Sequence, residues 1–354
     1  MSERAGWGIL GTGGIAHIFA AAVQASSAGR LVAIASRDAA KAASAAEELS
    51  IERSFGSYQA LLDDPAVEFV YVATPHTVHV ELAVAAARAG KHVLCEKPMA
   101  PSAAGAAIVI DAAREAGVFL MEGFAFRCHP QTKRLAELLE GDEIGELRSV
   151  SAAFGFDAGP APTNYLFRHE LAGGAMLDNG CYPVSLSRRI AGHTVGATFR
   201  DPDRVAGVGL LHPEQGIDLD ASALTWYEGG ITGQLQCTLR TEVDKNVLIT
   251  GSRGFIRLPA AYLPGRMDRF GGQPRIILER HGEEAREIAI DAPAGLYTIE
   301  ADTVVARARE GRTEAPEMTW EDSLGNMRVL DRWRAEVGVR YTDDVESPAP
   351  IPAR

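Results

Sequence analysis

The chain has 354 residues, of which 46% are hydrophobic and 23% charged, and its formal net charge is −12. This length exceeds what one hydrophobic core usually serves, so we expect two domains with sizeable cores. A chain this acidic, without a basic run, is not attracted by charge to nucleic acid or to an anionic membrane. The composition therefore argues against both as partners.

The cysteines and the hydropathy pattern indicate a soluble, cytoplasmic protein. The four cysteines form no CxxC pair, which argues against a zinc site and against a disulfide framework, and no His, Cys, Asp or Glu group has metal-ligand spacing. The start of the chain leaves no room for a signal peptide before a strand-like segment, and no apolar run is long enough to span a bilayer. We expect no bound metal.

Short apolar runs alternate with longer alanine-rich stretches over residues 1–126. The predicted strands are Trp7–Leu10, Leu31–Ala35, Phe69–Ala73, His92–Leu94 and Val118–Met121. The predicted helices are Ile15–Ala25, Ala39–Leu49, Val78–Ala89 and Pro101–Ala116. This alternation predicts an α/β N-terminal Rossmann domain, a doubly wound parallel sheet covered on both faces.

The pattern changes in residues 127–354, which we assign to a second domain for substrate binding and oligomerisation. Helices are predicted at Thr132–Glu140, Ala175–Ile190, Thr298–Arg309 and Glu321–Val337. Strands are predicted at Ala221–Tyr227, Ile231–Thr238, Asn246–Thr250 and Arg275–Glu279, with turns at Gly229-Gly230 and at residues 251–254. Strands joined by tight turns predict an α+β domain with a mostly antiparallel open sheet.

A glycine-rich turn follows the first predicted strand and opens the first predicted helix. It reads Gly11-Thr12-Gly13-Gly14-Ile15-Ala16, a G-x-G-x-x-A pattern. Gly11 permits the tight turn, Gly13 lets the backbone approach a pyrophosphate, and the helix start offers unpaired N–H groups to the anion. A purely structural turn is the alternative, but the strand–turn–helix setting favours a dinucleotide site at residues 11–15.

The end of the second predicted strand, which meets the adenosine ribose in such a domain, reads Ala35-Ser36-Arg37-Asp38. An acidic residue would pair with the 2′-hydroxyl of NAD, whereas the Ser36 hydroxyl and the Arg37 guanidinium suit a 2′-phosphate. Arg37 could equally be a solvated residue at the helix start, and Asp38 could cap that helix. The pattern favours NADP, with NAD as the alternative.

Polar motifs follow two neighbouring predicted strands. The first runs from Thr74 to His79, and the second is Glu96-Lys97-Pro98. Lys97 is one of only five lysines, and its ammonium has a pKa that can be lowered enough for proton chemistry. A solvated Glu96–Lys97 loop pair is the alternative. Because ligands bind at the carboxyl ends of parallel strands, we expect the cofactor crevice to be lined by Thr74, Pro75, His76, His79, Glu96 and Lys97.

These motifs together resemble the Gfo/Idh/MocA oxidoreductase family. The resemblance rests on the glycine turn, on Ala73-Thr74-Pro75 with His79, on Glu96-Lys97-Pro98 and on the segments 121–124, 126–130 and 173–183. It covers roughly residues 6–340 of the chain. Many members have asparagine at the position of His76, which is a departure here. The family implies a hydride-transferring, nicotinamide-dependent enzyme that forms dimers or tetramers through the open sheet of its second domain.

The second-domain motif places Asp178 and Tyr182 four residues apart on a predicted helix, so both side chains face the same way. Pro183 is expected to kink that helix. Many family members have histidine at the position of Tyr182. The tyrosine is similar to the branch of NADP-dependent dihydrodiol dehydrogenases, glucose–fructose oxidoreductase and xylose dehydrogenases. A tyrosine packed in the helix core, with Asp178 as a cap or ion-pair partner, is the alternative.

We therefore predict hydride transfer between the nicotinamide and a carbinol carbon of a sugar, polyol or cyclic diol. In this hypothesis Tyr182 is the general acid/base, with its pKa lowered by the nearby ammonium, Lys97 polarises the reacting oxygen, and Asp178 orients the lysine or the substrate. The segments resembling substrate loops add Arg127, His129, Asn164, Arg168 and Asp178 as candidate substrate contacts. The alternatives are a keto-sugar or nucleotide-sugar reductase, and a non-catalytic NADP-binding regulator.

Overall fold

The computed structural model describes residues 4–159 and 164–341. A six-stranded parallel sheet occupies the first half, in the order β3-β2-β1-β4-β5-β6. Its strands are β1 (Ala5–Leu10), β2 (Gly29–Ala35), β3 (Arg53–Phe55), β4 (Phe69–Val72), β5 (His92–Glu96) and β6 (Leu120–Gly123). The strand order reverses between β1 and β4, and doubly wound sheets bind their ligands in the crevice at such a reversal.

Five helices cover the faces of this sheet: α1 (Gly14–Ala25), α2 (Ala39–Glu48), α3 (Tyr58–Leu62), α4 (His79–Arg88) and α5 (Ala103–Ala116). The predicted Rossmann architecture is confirmed, and each predicted strand and helix lies within a few residues of an observed one. The sequence reading missed β3 and α3. Both are too short for a periodic pattern, and β3 is an edge strand whose residues are only partly buried.

The second half contains an eight-stranded sheet in the order β14-β13-β12-β11-β7-β10-β9-β8. Only β7 and β10 pair in parallel, and all other neighbours are antiparallel, as predicted. Its strands are β7 (Leu147–Gly155), β8 (Arg204–Leu211), β9 (Asp218–Tyr227), β10 (Ile231–Thr238), β11 (Val247–Gly251), β12 (Gly254–Leu258), β13 (Arg275–Arg280) and β14 (Arg286–Ala289).

Four α-helices lie in the described part of the second half: α6 (Pro130–Glu140), α7 (Cys181–Gly192), α8 (Leu296–Arg309) and α9 (Trp320–Val337). A π-helical segment, Met176–Gly180, leads directly into α7. The expected kink at Pro183 stays a prediction. Pro183 is the third residue of α7 and comes directly after the π turn, so its missing N–H falls where the helical hydrogen-bond pattern changes.

The last two helices fold back onto the first half. Helix α8 packs on α1, where the Thr298 hydroxyl donates to the Ala22 carbonyl at 3.1 Å. Helix α9 packs on α5, α7 and β8. Helix α9 therefore contacts both sheets, through β6 and β8, and the division after Phe126 stays a proposal. Within residues 4–159 and 164–341, no helix combines the length and the apolar character needed to cross a membrane.

Candidate active site

The structure joins the lysine motif to the second-half motif through one ion pair. Lys97 follows β5, and its Nζ donates to the backbone carbonyl of Asp178 at 2.7 Å and to Oδ1 of the same residue at 3.2 Å. Both side chains are largely buried, 13% and 11% exposed. The ion pair lies at the carboxyl edge of the parallel sheet, close to where the strand order reverses.

This pairing fixes the charge of both partners. Burial lowers the pKa of Lys97, but the carboxylate of Asp178, helped by weaker neighbours, outweighs it and holds that pKa above its ordinary value. Burial likewise raises the pKa of Asp178, but the ammonium of Lys97 and other contacts bring it below its ordinary value. Lys97 is therefore held as a cation, which suits the predicted role of polarising the reacting oxygen better than proton exchange.

Tyr182 lies against this ion pair with its ring rather than with its hydroxyl. Lys97 Nζ is 5.0 Å from the ring centroid, within the range of a cation–π contact. The ring is enclosed by other aromatic side chains, with centroid separations of 5.0–6.3 Å: Phe124, Phe126, Phe154 and Tyr262. Burial raises the pKa of Tyr182 well above its ordinary value, aided by neighbouring acidic groups. The expected lowering of this pKa is therefore wrong, and the phenol is neutral.

Tyr165 completes the site, and the sequence reading missed it. Its hydroxyl donates to Asp178 Oδ1 at 3.1 Å, the oxygen that also accepts from Lys97. The residue lies in the loop between β7 and the π segment, thirteen positions before Asp178. No motif marks a tyrosine in such a loop, so only the fold reveals the contact. Asp178 is thus held by a cation and by a phenol at once.

His76 presents an unpaired imidazole to this cluster. The side chain is 4% exposed, and neither ring nitrogen has a hydrogen-bond partner among the described residues. Burial, followed by the effect of His79, lowers the pKa of His76 to about 3, so the ring is neutral. It packs edge-on against Tyr165 at 5.7 Å. Since buried polar groups are nearly always hydrogen-bonded, a bound molecule is the natural partner for these nitrogens.

His79 and Glu96, both predicted to contact the cofactor, are held by the protein itself. The two ring nitrogens of His79 face the carbonyls of Thr74 at 2.7 Å and of Pro98 at 2.9 Å, which ties the two strand-end loops together. Glu96 accepts from the Tyr71 hydroxyl and from the backbone N–H of Lys97. Both side chains are buried. They order the crevice wall around Thr74, Pro75 and Lys97.

The glycine turn has the geometry of a dinucleotide cradle. Gly11 adopts φ +115°, and a Cβ added there would lie 2.4 Å from the Ala73 carbonyl oxygen. A Cβ at Gly13 or Gly14 would meet no atom within 4 Å, so the surface above the turn is open. Helix α1 begins here with no side-chain cap and no acidic residue in its first turn. Its N–H groups are therefore left for an anion, and Thr12 and Ile15 flank them.

The ribose end of this crevice contains Ser36 and Arg37. The Asp38 side chain accepts from the N–H groups of Ala40 and Lys41, so it caps α2, as the alternative reading held. Ser36 Oγ accepts from the Asp38 N–H at 3.2 Å. Arg37 is exposed and lies beside the Tyr58 hydroxyl. Its exposed guanidinium would exchange this contact with Tyr58 for one with a phosphate.

The side chains of the four remaining candidates for substrate contact form ion pairs or hydrogen bonds with other residues of the protein. Arg127 is fully buried and pairs with Asp322, which also binds Arg188. His129 caps α6, accepting from the Gln131 N–H, and Asn164 caps a short 3₁₀ turn, accepting from the Leu166 N–H. Arg168 is exposed and pairs with Glu170. None of the contacts given for these four side chains reaches Lys97 or Asp178, so their binding of a substrate stays a prediction.

A parallel sheet with a glycine cradle at its strand reversal, and a buried lysine at its carboxyl edge, defines a nicotinamide-dependent oxidoreductase. Comparison with known proteins agrees. The GFO_IDH_MocA pattern, described as an oxidoreductase family with an NAD-binding Rossmann fold, matches residues 5–124, and the GFO/IDH/MocA C-terminal domain matches residues 132–257. The chain belongs to the Gfo/Idh/MocA oxidoreductase family.

Named relatives span nearly the whole chain. Trans-1,2-dihydrobenzene-1,2-diol dehydrogenase of Mus musculus is 32% identical over 96% of this chain and 98% of its own length. D-xylose 1-dehydrogenase (NADP(+)) 2 of Haloferax volcanii is 34% identical over 92% and 95%. Among solved structures, KijD10, a 3-ketoreductase from Actinomadura kijaniata in complex with NADP and TDP-benzene, is 29% identical with a TM-score of 0.83, covering 95% and 98%.

Because Lys97 is paired with Asp178, we expect the pKa of Lys97 to change when the carboxylate of Asp178 is removed. In Asp178→Asn the carboxylate charge is gone and burial dominates, so the Lys97 pKa should fall below the ordinary 10.5. In the unaltered chain the raised pKa stabilises the folded state fully below 10.5, and this stability is lost only as the pH rises through the higher folded value. In the variant, the folded lysine should titrate below 10.5.

The measurement is a pH titration of the Cε chemical shifts in protein labelled with ¹³C-lysine. The chain has only five lysines, so the other four signals serve as internal controls. A Lys97 signal that titrates identically in both proteins would contradict the assigned pairing.

Proposed function

We propose that the protein is an NADP-linked oxidoreductase that transfers hydride between C4 of the nicotinamide and a carbinol carbon of a sugar, polyol or cyclic diol. The contact of Lys97 with both Asp178 and the Tyr182 ring, at the carboxyl edge of the Rossmann sheet, is the observation that carries the proposal. The mouse and Haloferax relatives, named for a diol and for a pentose, support this substrate class.

The residues present fit a dinucleotide. Residues 11–15 would hold the pyrophosphate at the start of α1, Ser36 and Arg37 would hold the 2′-phosphate, and Thr74, Pro75 and His76 would line the path to the nicotinamide. The cofactor supplies or accepts the hydride. Every other step of the chemistry falls to the side chains around Lys97.

In this mechanism one residue stabilises the negative charge on the reacting oxygen and another transfers the proton. Lys97 is always cationic, so it stabilises negative charge that develops on the reacting oxygen. Tyr182 donates its proton to that oxygen in the reducing direction, since its phenol is neutral, and in the oxidising direction its phenolate would be the base. Asp178, held by Lys97 and Tyr165, fixes the direction of the ammonium and accepts from a substrate hydroxyl.

Reduction of a keto-sugar is the second candidate, and the state of Tyr182 favours it. A phenol whose pKa is raised by burial is protonated at neutral pH and is ready to donate to the oxygen of a ketone receiving hydride. The similar KijD10 structure is that of a 3-ketoreductase. A catalytically silent NADP-binding regulator would have no need of a buried lysine–aspartate pair beside a phenol, so we set it third.

The charge and the cysteines support the cellular setting that we propose. A net charge of −12 disfavours binding to nucleic acid or to an anionic membrane, and a small carbohydrate or diol is the expected partner. The four cysteines are free, as expected in a reducing compartment. We therefore propose a cytoplasmic enzyme.

Tyr182→Phe tests the mechanism. Turnover should fall by about 10²- to 10⁴-fold, because positioned acid–base catalysis contributes that much, while NADPH binding is retained. The measurement is a screen of aldoses, inositols, diols and the matching ketones by nicotinamide absorbance, with NADPH affinity from fluorescence. Tyr227→Phe is the matched control, because it also removes one buried phenol hydroxyl, but that hydroxyl is hydrogen-bonded to Ser187 at 2.9 Å and lies away from Lys97.

Unchanged kcat in Tyr182→Phe would remove the phenol from the mechanism. Tight NADPH binding by the unaltered protein without turnover on any of these compounds would favour the regulator.

Arg37→Ala tests the cofactor preference. Loss of a charge-assisted hydrogen bond to the 2′-phosphate, worth about 1.5–3 kcal/mol, should weaken NADPH binding by about 10- to 100-fold and leave NADH binding unchanged. Both affinities are measured by fluorescence titration. Arg88→Ala, which removes an exposed arginine from α4, is the control and should change neither affinity. Equal effects of Arg37→Ala on NADPH and NADH would overturn the preference for NADP.

We also propose that the protein is a homodimer or homotetramer assembled through the outer face of the second sheet. Val208, Leu210 and Leu224 lie on that face in β8 and β9 and are 71%, 47% and 46% exposed. A second copy of the chain is the occupant implied by the family, and burying this patch would stabilise the assembly.

Leu224→Glu should shift the assembly toward monomer, because it places a charge in the proposed interface. Light scattering after gel filtration measures the mass, which should be two or four times that of the chain before substitution. Met267→Glu, which changes an exposed apolar residue outside the sheet, is the control and should leave the mass unchanged. A monomeric unaltered protein would rule out this interface.

A further inference from the structure

We propose that Asp218 and Tyr341 are positioning residues that clamp the Gly173–Gly174 turn and thereby fix the backbone that carries Asp178 and Tyr182. The inference rests on the proposed function, since it assigns these two residues to the same active site. Neither residue belongs to the lysine motif or to the cofactor cradle. The clamp is built from the start of β9 and from the segment that follows α9.

Asp218 anchors the start of the π segment from a neighbouring strand. It is fully buried, and its Oδ2 accepts the Met176 N–H at 2.6 Å, with the Ala175 N–H contributing as well. A carboxylate at the beginning of a helix satisfies N–H groups that have no partner within the helix. Burial raises the pKa of Asp218 to about 6, so the group remains charged at neutral pH.

Gly174 shows how closely the clamp approaches the backbone. Its φ is +123°, and a Cβ added there would lie 2.3 Å from Asp218 Oδ1 and 3.2 Å from the Tyr341 hydroxyl oxygen. A side chain would therefore push both groups away from the turn. The glycine is required by the approach of the carboxylate and the phenol, in addition to its backbone conformation.

Tyr341 closes the clamp from the opposite end of the chain. Its hydroxyl donates to the Gly173 carbonyl, and its ring lies 5.0 Å from the Arg334 guanidinium of α9. Arg334 also acts electrostatically on Asp218 and offsets part of the rise in its pKa that burial causes. The turn is therefore held by β9 on one side and by the end of α9 on the other, through groups that interact with each other.

The link to catalysis runs through the backbone of the π segment. Asp178 is two residues beyond the anchored Met176, and Lys97 Nζ binds its backbone carbonyl at 2.7 Å as well as its carboxylate. A displacement of the turn would shift that carbonyl directly, and the lysine with it. Because misplacement of a catalytic group by about 1 Å can cost 10²-fold in rate, a distant clamp is able to control turnover.

The test compares Asp218→Ala, Asp218→Asn and Tyr341→Phe with Tyr227→Phe, the matched control. Tyr227 is also buried, and its hydroxyl is hydrogen-bonded to Ser187 at 2.9 Å, away from the turn. Amide hydrogen exchange of the NADP-loaded protein is followed over residues 174–182, together with kcat, KM and NADPH affinity. We expect exchange in this segment to rise about tenfold or more in Asp218→Ala and Tyr341→Phe.

For these two variants kcat should fall by about tenfold while NADPH affinity stays within about twofold. Asp218→Asn keeps an oxygen acceptor and should recover much of both losses, and Tyr227→Phe should leave the segment and kcat unchanged. If Asp218→Ala does not fold, Tyr341→Phe carries the test, since it removes one hydroxyl only.

Unchanged exchange over residues 174–182, or raised exchange with full kcat, would overturn the clamp as a positioning device. Lowered thermal stability alone would do the same, because it would show a purely structural role. Absence of turnover in the unaltered protein would count against the proposed function, whereas the exchange measurement would still decide whether Asp218 and Tyr341 fix the turn.

Discussion

The ion pair of Lys97 and Asp178 is the contact on which the rest of the site depends. Removing two charges from water is costly, and a buried pair repays that cost only with good geometry and further hydrogen bonds. Both conditions are met here, because the ammonium also binds a backbone carbonyl and the carboxylate also accepts from Tyr165. The pair joins a residue at the edge of the first sheet to one on the helical segment of the second half, so the crevice exists only when both halves are in place.

Much of the first half could be predicted from the sequence, because its parallel strands are short, buried apolar runs bounded by glycine. The second sheet was harder. Strand β8 contains Gly207 and Gly209, where an added Cβ would lie 2.6 Å from Trp333 and from Val337 of α9. These glycines weaken the strand pattern but let the helix pack closely on the sheet. Tertiary packing therefore decided a secondary structure that local preference did not indicate.

Some features of the candidate site could likewise be predicted from the sequence, and others could not. Strand-end placement was enough to put Lys97 at the cofactor crevice, because ligands bind at the carboxyl ends of parallel strands, whereas Asp178 was linked to it only through the family resemblance. The sign of the Tyr182 pKa shift was not predictable, since it depends on whether the ammonium meets the hydroxyl or the ring face. Arg127 resembled a substrate contact, yet it is paired with Asp322 in the interior. Sequence indicates which residues come near each other, whereas orientation and desolvation decide what each one does.

The surroundings of Lys97 and Tyr182 explain why the proposed mechanism assigns charge stabilisation and proton transfer to different residues. A lysine held cationic by a carboxylate cannot take up a proton, and a histidine whose pKa is about 3 is not protonated at neutral pH. A neutral phenol keeps a proton that it can donate, and in the proposed mechanism Tyr182, beside the cation, donates it to the reacting oxygen. The same burial that raises its pKa makes the nearby positive charge more effective, because the local dielectric is low. One buried, aromatic-lined environment would therefore set both proposed roles.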